Sequence, residues 1–356
     1  MQGKFTINKT ENILAIGVGL LMVGGASLAT VKHAVAEVAA DFYRNKTLSI
    51  GVPNSAGGGY DVYARVLAHH ISKHIPGGPN VVIQNLPAAG GMALANQLYN
   101  TSPKDGTYIG MVRGTVVHEQ VFKTPQVQFD ARKFAWIGNM NADYDGCIVS
   151  VASGITGLED FYKRQVVMGA SGAGAQSYTF PLVYRDLLGM KLKVIAGYPG
   201  TPERMIALER GELDGFCGIT ISTFRSQLAQ LSERGTIKLV AQGGVTKDPR
   251  YPDLPNVLDE AKTPDVKQAL EFLFTPLAIN RAIAAPPETP ADRVAVLRNA
   301  TMQTMKDPAF VEEAEKLRLD ITVMGAEETV SISDKLFTTP PAVGAKIKNL
   351  VDPTAK

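Results

Sequence analysis

The chain has little of what surface chemistry usually requires. Among its 356 residues are two cysteines, Cys147 and Cys217, and five histidines. It contains neither a G-x-S-x-G elbow nor an H-E-x-x-H pair, which excludes the common serine-hydrolase and zinc-protease signatures. His69, His70 and His74 share one helical stretch, but no carboxylate or cysteine completes a metal set, so they read as solvated helix histidines. Ser171 is flanked by glycine, yet no histidine and aspartate partners can be identified in sequence order. No arginine-rich run or basic stripe is present, which argues against nucleic acid and against a polybasic membrane surface. Two cysteines allow at most one disulfide, and neither stands near the N-terminal apolar run, where a lipid anchor would need one. There is no low-complexity tract and no repeat beyond a rough duplication of glycine loops.

What is present begins with the N-terminus. Lys4 and Lys9 precede an uncharged apolar run from Ile13 to Val31, and Ala34, Val35 and Ala36 supply small residues for cleavage. Residues 1–36 are therefore expected to be a secretory signal and the mature protein to be periplasmic. The run is also about as long as a membrane span, so an uncleaved anchor is the alternative. Cleavage after Ala36 removes Lys4, Lys9, Lys32 and Glu11, leaving basic and acidic residues in equal number. The remaining chain exceeds what one core usually serves, and two domains are expected.

Past the signal, short apolar runs alternate with amphipathic helical stretches. LSIGV, NVVIQN, TYIGMV, CIVSVA, QVVMGA, LKVIAGY, LDGFCGI and IKLVAQG read as strands, and VYARVLAHHISKHI, YTFPLVYRDLLGM and TPERMIALERGE as helices. The pattern predicts an α/β fold of parallel-type sheets flanked by helices, with ligand loops at the carboxyl ends of strands. The irregular stretches 124–145 and 246–256 suit crossings between domains. They divide the chain into a discontinuous first domain, 46–145 plus 247–356, and an inserted second domain, 146–246.

Three strand ends run into glycine. VPNSAGGGYD (Val52 to Asp61), LPAAGGM (Leu86 to Met92) and MGASGAGAQSY (Met168 to Tyr178) each place backbone N–H groups at a helix start, where an anion is favoured. A plain tight turn explains any one of them equally well. A dinucleotide site is disfavoured, because the strand LKVIAGY ends in Pro199, Gly200 and Thr201 and not in an acidic residue. Thr201 and Pro202 are accounted for as a helix cap and first-turn proline, but Tyr198 is left unexplained. Arg113 ends the strand TYIGMV on the same side as the loops, with an anionic partner or a surface ion pair as the competing readings.

Taken together, VPNSAGGGYDVYARVLA, NLPAAGGMALANQLY, PKDGTYIGM, SGAGAQS, YPGTPERMIALERGELD and TKDPRYPDLPNVLDEA resemble, in order and spacing, the solute receptors of tripartite tricarboxylate transporters, the Bug family. The resemblance covers nearly the whole mature chain. It implies a two-domain type II periplasmic-binding-protein fold with the ligand cleft between the domains, closing on a small organic acid, a carboxylated metabolite, through backbone amides and water. It further implies no enzymatic activity, no cofactor, a monomeric receptor and delivery to a two-subunit membrane permease. A sensor signalling to a membrane kinase on the same fold is the alternative, and an enzyme a distant third.

Carried over by motif, the ligand-binding residues would be Asn54, Ser55, Ala56, Gly57 and Gly58, with Asp61 ordering the loop, then Ala89, Gly90 and Gly91. Ser171, Gly174, Tyr198 and Asp214 would contribute from the second domain, and Arg113 joins on its position. Asn54 stands where the family commonly has an aromatic residue, Arg113 where it has a small or apolar one, and Ala175 and Tyr178 replace a serine and a histidine. In the type II strand order Cys147 and Cys217 lie on neighbouring strands, so a disulfide is expected as readily as two buried thiols.

Overall fold

The computed structural model describes residues 41–173 and 175–351. The expected signal, 1–36, and Gly174 lie outside the described residues. Eleven strands, among these residues, form two sheets. Strands β1 (Thr47–Val52), β2 (Asn80–Asn85), β3 (Tyr108–Val112) and β4 (Ala135–Asn139) join the late strands β10 (Ala282–Ala285) and β11 (Met324–Gly325) in the order β11-β4-β10-β3-β1-β2. Strands β5 (Asp145–Ser150), β6 (Val166–Gly169), β7 (Leu192–Ile195), β8 (Gly215–Thr220) and β9 (Ile237–Gly243) form the second sheet in the order β7-β6-β8-β5-β9.

Both sheets are mixed, where the sequence alternation predicts parallel ones. β1 pairs parallel with β2 and β3, and β6 parallel with β7 and β8, with helices in the connections between them, as parallel neighbours require. β10 runs antiparallel to β3 and β4, and β5 antiparallel to β8 and β9. These are the strands met on crossing from one sheet to the other, so they enter from the opposite end. The stretch 124–145, read from sequence as irregular, contains β4. Every residue of β3 and β10 is buried, as central strands covered on both faces require.

The helices used below are α1 (Gly59–Ile71), α2 (Met92–Asn100), α3 (Gln176–Leu188), α4 (Thr201–Glu209), α5 (Pro264–Phe274), α6 (Ala291–Thr304), α7 (Pro308–Lys316), α8 (Ala326–Phe337) and α9 (Pro341–Val351). α6 and α7 pack on α1, and α8 packs on β4 of the first sheet. α9 goes further: it packs on α3 of the second sheet and on α5. Phe274 of α5 meets Phe180 of α3 edge-on, with ring centroids 5.6 Å apart. One apolar cluster, including Leu98, Trp136, Phe180, Phe274 and Ile347, therefore runs from one sheet to the other. At roughly 25 cal/mol per Å² of apolar surface, such a shared core ties the two halves far more firmly than two linkers would.

Cys147 of β5 and Cys217 of β8 are joined as a disulfide across an irregular part of their ladder. His69 and His70 of α1 reach Glu313 of α7 at 2.9 and 2.7 Å, and His74 reaches Asp307 at 2.8 Å.

Candidate functional site

The first glycine loop is built around a buried carboxylate. Asp61, in the first turn of α1, accepts hydrogen bonds from Gly57 N at 2.9 Å, from Arg65 Nε at 2.7 Å and from Asn85 Nδ2 at 2.9 Å. Burial pushes its carboxyl up, but the bonds from Arg65, Gly57 and Asn85 outweigh that and hold it below the ordinary value. The same Asn85 amide donates to Asn54 O at 2.9 Å. Asp61 thus orders the loop from beneath. Gly57 and Ala56 form the exposed tip, and the Gly57 amide is used by Asp61. Gly58 donates to Ser55 O at 3.2 Å, so the amides this loop presents freely are those further into the first turn of α1, whose N-cap Gly58 has no side chain to offer.

The second loop is more strained. Ala89, Gly90 and Gly91 have φ of 48°, 63° and 104° in succession. A side chain on Gly90 would put Cβ 2.3 Å from Ala173 O and 2.6 Å from Ala175 N, both in the second-sheet cradle. One on Gly91 would meet Arg113 Cδ at 2.8 Å. Both the left-handed backbone and the close approach require glycine here. Gly90 thereby brings the first-sheet loop into direct contact with Gly172, Ala173 and Ala175, and the Gly200 backbone lies close to Ser55, whose hydroxyl donates to Glu203 Oε2 at 3.2 Å. The two halves touch across the cleft at these points.

Arg113 lies at the centre. Its Nη2 donates to Asn54 Oδ1 at 2.6 Å, and its guanidinium stacks 4.6 Å from the Tyr60 ring centroid. The two residues that depart from the family pattern in the first domain are therefore bonded to each other. Burial pushes the Arg113 guanidinium down from its ordinary value; Tyr60 opposes this, and the like charge of Arg281 adds to it.

Of the other expected residues, Ser171 joins the cradle, its N–H donating to Ser177 Oγ at 3.1 Å and its carbonyl accepting from Gly197 N at 2.7 Å. Tyr198 is half-buried and packs on the cluster containing Met205, Leu208 and Phe216. Asp214 is not brought to the cleft. Its Oδ2 accepts from Val167 N at 2.8 Å between β6 and β8, and it lines a separate hollow with Ser150 and Leu208.

Sequence reasoning missed two further arginines. Arg204 of α4 is 4% exposed; it donates to Gly200 O and Thr201 Oγ1, both at 3.2 Å, and stacks 4.4 Å from the Phe216 ring centroid. Arg281, entering β10, is fully buried and donates to Thr220 Oγ1 and Thr223 Oγ1 at 3.1 Å, with Tyr60 4.1 Å away on its guanidinium face. All of these acceptors are neutral. Arg113 Nε, Arg204 Nη1, Arg281 Nε, Gln176 Nε2 and Asn280 Nδ2 are buried donors that no protein group satisfies. The signal for Arg204 was available, since with Thr201, Met205 and Leu208 it occupies the buried face of an amphipathic helix.

Cavities flank this centre. One of about 370 Å³ is lined by Ala89, Met92, Glu119, Ala173, Tyr178 and the α9 residue Lys348, so the second glycine loop, the second-sheet cradle and α9 border it, while the Asn54–Gly58 loop and the buried arginines do not. A hollow of about 410 Å³ lies at the hinge, beside Asp143, Asp248, Arg250 and Asp320. The first has the size of a small-ligand site and touches the second loop at Ala89, whereas the hinge hollow is lined by none of the loop residues. Among the described residues no group of three or more histidine, cysteine or acidic side chains could hold a metal, and no helix is long and apolar enough to cross a membrane.

Comparison with solved structures defines the class first. The periplasmic binding protein BugD superposes with a TM-score of 0.70 at 22% identity, covering 86% of this chain and 98% of its own. MatC of Rhodopseudomonas palustris, solved with malate bound, superposes with a TM-score of 0.67 at 19% identity, covering 86% and 99%. The fold is that of a two-domain periplasmic binding protein. Residues 63–339 match the tripartite tricarboxylate transporter family receptor, and the chain belongs to that family of periplasmic solute receptors, which are not enzymes. Relatives include the UPF0065 protein in the TAR-I ttuE-ttuC' intergenic region of Agrobacterium vitis, 26% identical over 92% of this chain and 88% of its own length. A UPF0065 protein of Cupriavidus necator is 23% identical over 88% and 90%.

Proposed function

We propose that this chain captures a small carboxylated metabolite between its two sheets and delivers it to a two-subunit membrane permease driven by an ion gradient. The observation that carries the reading is the set of buried donors left unsatisfied on Arg113, behind the glycine loops, and on Arg204, Arg281, Gln176 and Asn280. A buried donor without an acceptor costs about 1–3 kcal/mol, more when charged, and a carboxylate supplies the acceptors all of them lack. Of the similar structures, MatC holds malate and another Rhodopseudomonas palustris protein holds adipate, which supports a carboxylate as the ligand class. The candidate contacts are the first turn of α1 behind Gly58, the Ala89–Gly91 loop, Ser171 and Arg113, with Asp61 as an organiser.

The test is a thermal-shift screen of organic acids on the mature protein. At a hundredfold its dissociation constant, a ligand that binds only the folded state adds about 2.7 kcal/mol of stability. A panel of mono-, di- and tricarboxylates without any stabilising member refutes the carboxylate reading.

A further inference from the structure

Two of the buried arginines come from opposite sides of the cleft. Arg113 ends β3 of the first sheet, and Arg204 lies in the first turn of α4, which packs on β8 of the second. A short chain of contacts connects them: Arg113 holds Asn54, the next residue Ser55 abuts Gly200 and bonds Glu203, and Gly200 O accepts from Arg204 Nε. Each guanidinium is backed by an aromatic ring, Tyr60 for Arg113 and Phe216 for Arg204, so neither can retreat toward solvent on its own side. Among the described residues no carboxylate makes an ion pair with Arg113 or Arg204, and Glu203 and Asp145 act on Arg204 only as nearby charges. Glu203 accepts from Ser55, and Asp143 accepts from Asn141 at 2.9 Å, from Ser222 N at 3.2 Å and from the Ser222 hydroxyl. Asp145, fully buried, receives the Tyr184 hydroxyl at 2.8 Å.

We propose that Arg113 and Arg204 form a like-charge gate, in which closure brings two unneutralised guanidiniums together unless the ligand carries at least two negative charges, and that Arg204 is a specificity-determining residue of this receptor. The inference rests on the reading above that the cleft takes an organic anion. Its physical basis is direct. Two unit charges of one sign repel in proportion to the inverse of the local dielectric constant, and closure expels the water that screens them. Burial pushes Arg204 down to about 9, and the Arg113 charge pushes it the same way. Asp145, whose carboxyl burial raises well above the ordinary range, acts on Arg204 only as a nearby charge and forms no ion pair with it. A monoanion leaves one guanidinium uncompensated in a dry site, whereas a dianion can satisfy both. Because a ligand shifts a conformational equilibrium only by its differential affinity for the two states, the gate turns ligand charge directly into domain closure.

The experiment follows closure and affinity together. Small-angle X-ray scattering on the ligand-free mature protein reports the open and closed populations. Arg204→Met should raise the closed-to-open ratio by about tenfold or more, the factor that a charge repulsion of about 1.4 kcal/mol implies, and Arg204→Lys should leave it near the wild type. Calorimetry with malate, adipate and butyrate should show the two dianions losing about ten- to hundredfold in affinity in Arg204→Met, with butyrate changing far less. Equal closure in wild type and Arg204→Met, or equal losses for dianions and butyrate, overturns the gate while leaving the receptor reading intact. If no acid binds the wild type, the receptor reading fails and the scattering comparison alone decides the gate. Should Arg204→Met fail to fold, Arg113→Met carries the same closure prediction from the other side.

Discussion

Arginine bridges the two halves of this protein in two places, and it is treated differently in each. At the hinge, Arg250 pairs with Asp248 and Asp320, and Arg225 pairs with Asp320. Both arginines there have a counter-charge. Burial pushes the Arg250 guanidinium down, but its bonds to Asp248 and Asp320 outweigh that and raise it above its ordinary value. In the cleft, Arg113, Arg204 and Arg281 bond only neutral groups and keep orphaned nitrogens, and burial lowers the first two. Pairing at the hinge serves the fold. Its absence in the cleft marks where the molecule expects something else, because a buried charge is tolerated only when it is compensated.

The contrast can be broken most completely through Gly90. Gly90→Val places a side chain where Ala173 O already sits, so the cleft cannot close, and calorimetry should find binding of any cleft ligand weakened beyond about a hundredfold. Because Gly90 has φ of 63°, some stability is lost too, so a urea titration must accompany the binding measurement. Gly58, at φ of −76°, accepts a side chain more readily, and Gly58→Ala is the milder control.

Next in size is the hinge. Arg250→Ala strands Asp248, which is fully buried, and should cost about 3 kcal/mol of folding stability by urea unfolding. Its effect on ligand affinity should be smaller than its effect on stability. Arg113→Ala should show the reverse pattern: about 1.5–3 kcal/mol of binding free energy lost, and folding stability unchanged or improved, since a desolvated charge is removed. An equal stability loss for Arg113→Ala and Arg250→Ala erases the distinction between the two regions.

The smallest effect concerns Asp145, the carboxyl between them. Its folded value is raised above the ordinary 3.8, so its stabilising contribution is complete below that value and is lost as pH rises through the folded one. Asp145→Asn keeps the neutral shape and the Tyr184 bond but cannot ionise. Wild-type urea midpoints should fall from acidic toward alkaline pH more steeply than those of Asp145→Asn. Parallel pH profiles would show that Asp145 does not titrate with folding.

What the sequence revealed follows the range of the interactions involved. β9 is read to the residue, and β1 to β3 and β6 to β8 nearly so, because each is an apolar run bounded by turn residues. β10, four small apolar residues inside a helix-prone stretch, is a strand only because β3 and β4 flank it. The glycine loops were legible because positive φ and helix starts are local properties. Arg204 and Arg281 were not, since their bonding partners and ring contacts are assembled by the fold; Arg281 meets Thr220 from 61 positions away. Asn54 and Arg113 could each be seen as unusual, but only the structure makes them one unit.

The Cys147–Cys217 bond has a consequence in time. It links the first strand the chain lays down after crossing over to the strand that delivers Thr220, so it fixes the platform on which Arg281 rests. Thiols stay reduced in the cytoplasm, so this half of the protein is completed only after the chain has left it. Export then becomes the last step of folding as well as a matter of address. Unfolded without reductant, protein collected outside the cytoplasm should show no titratable thiol, and protein trapped within should show two.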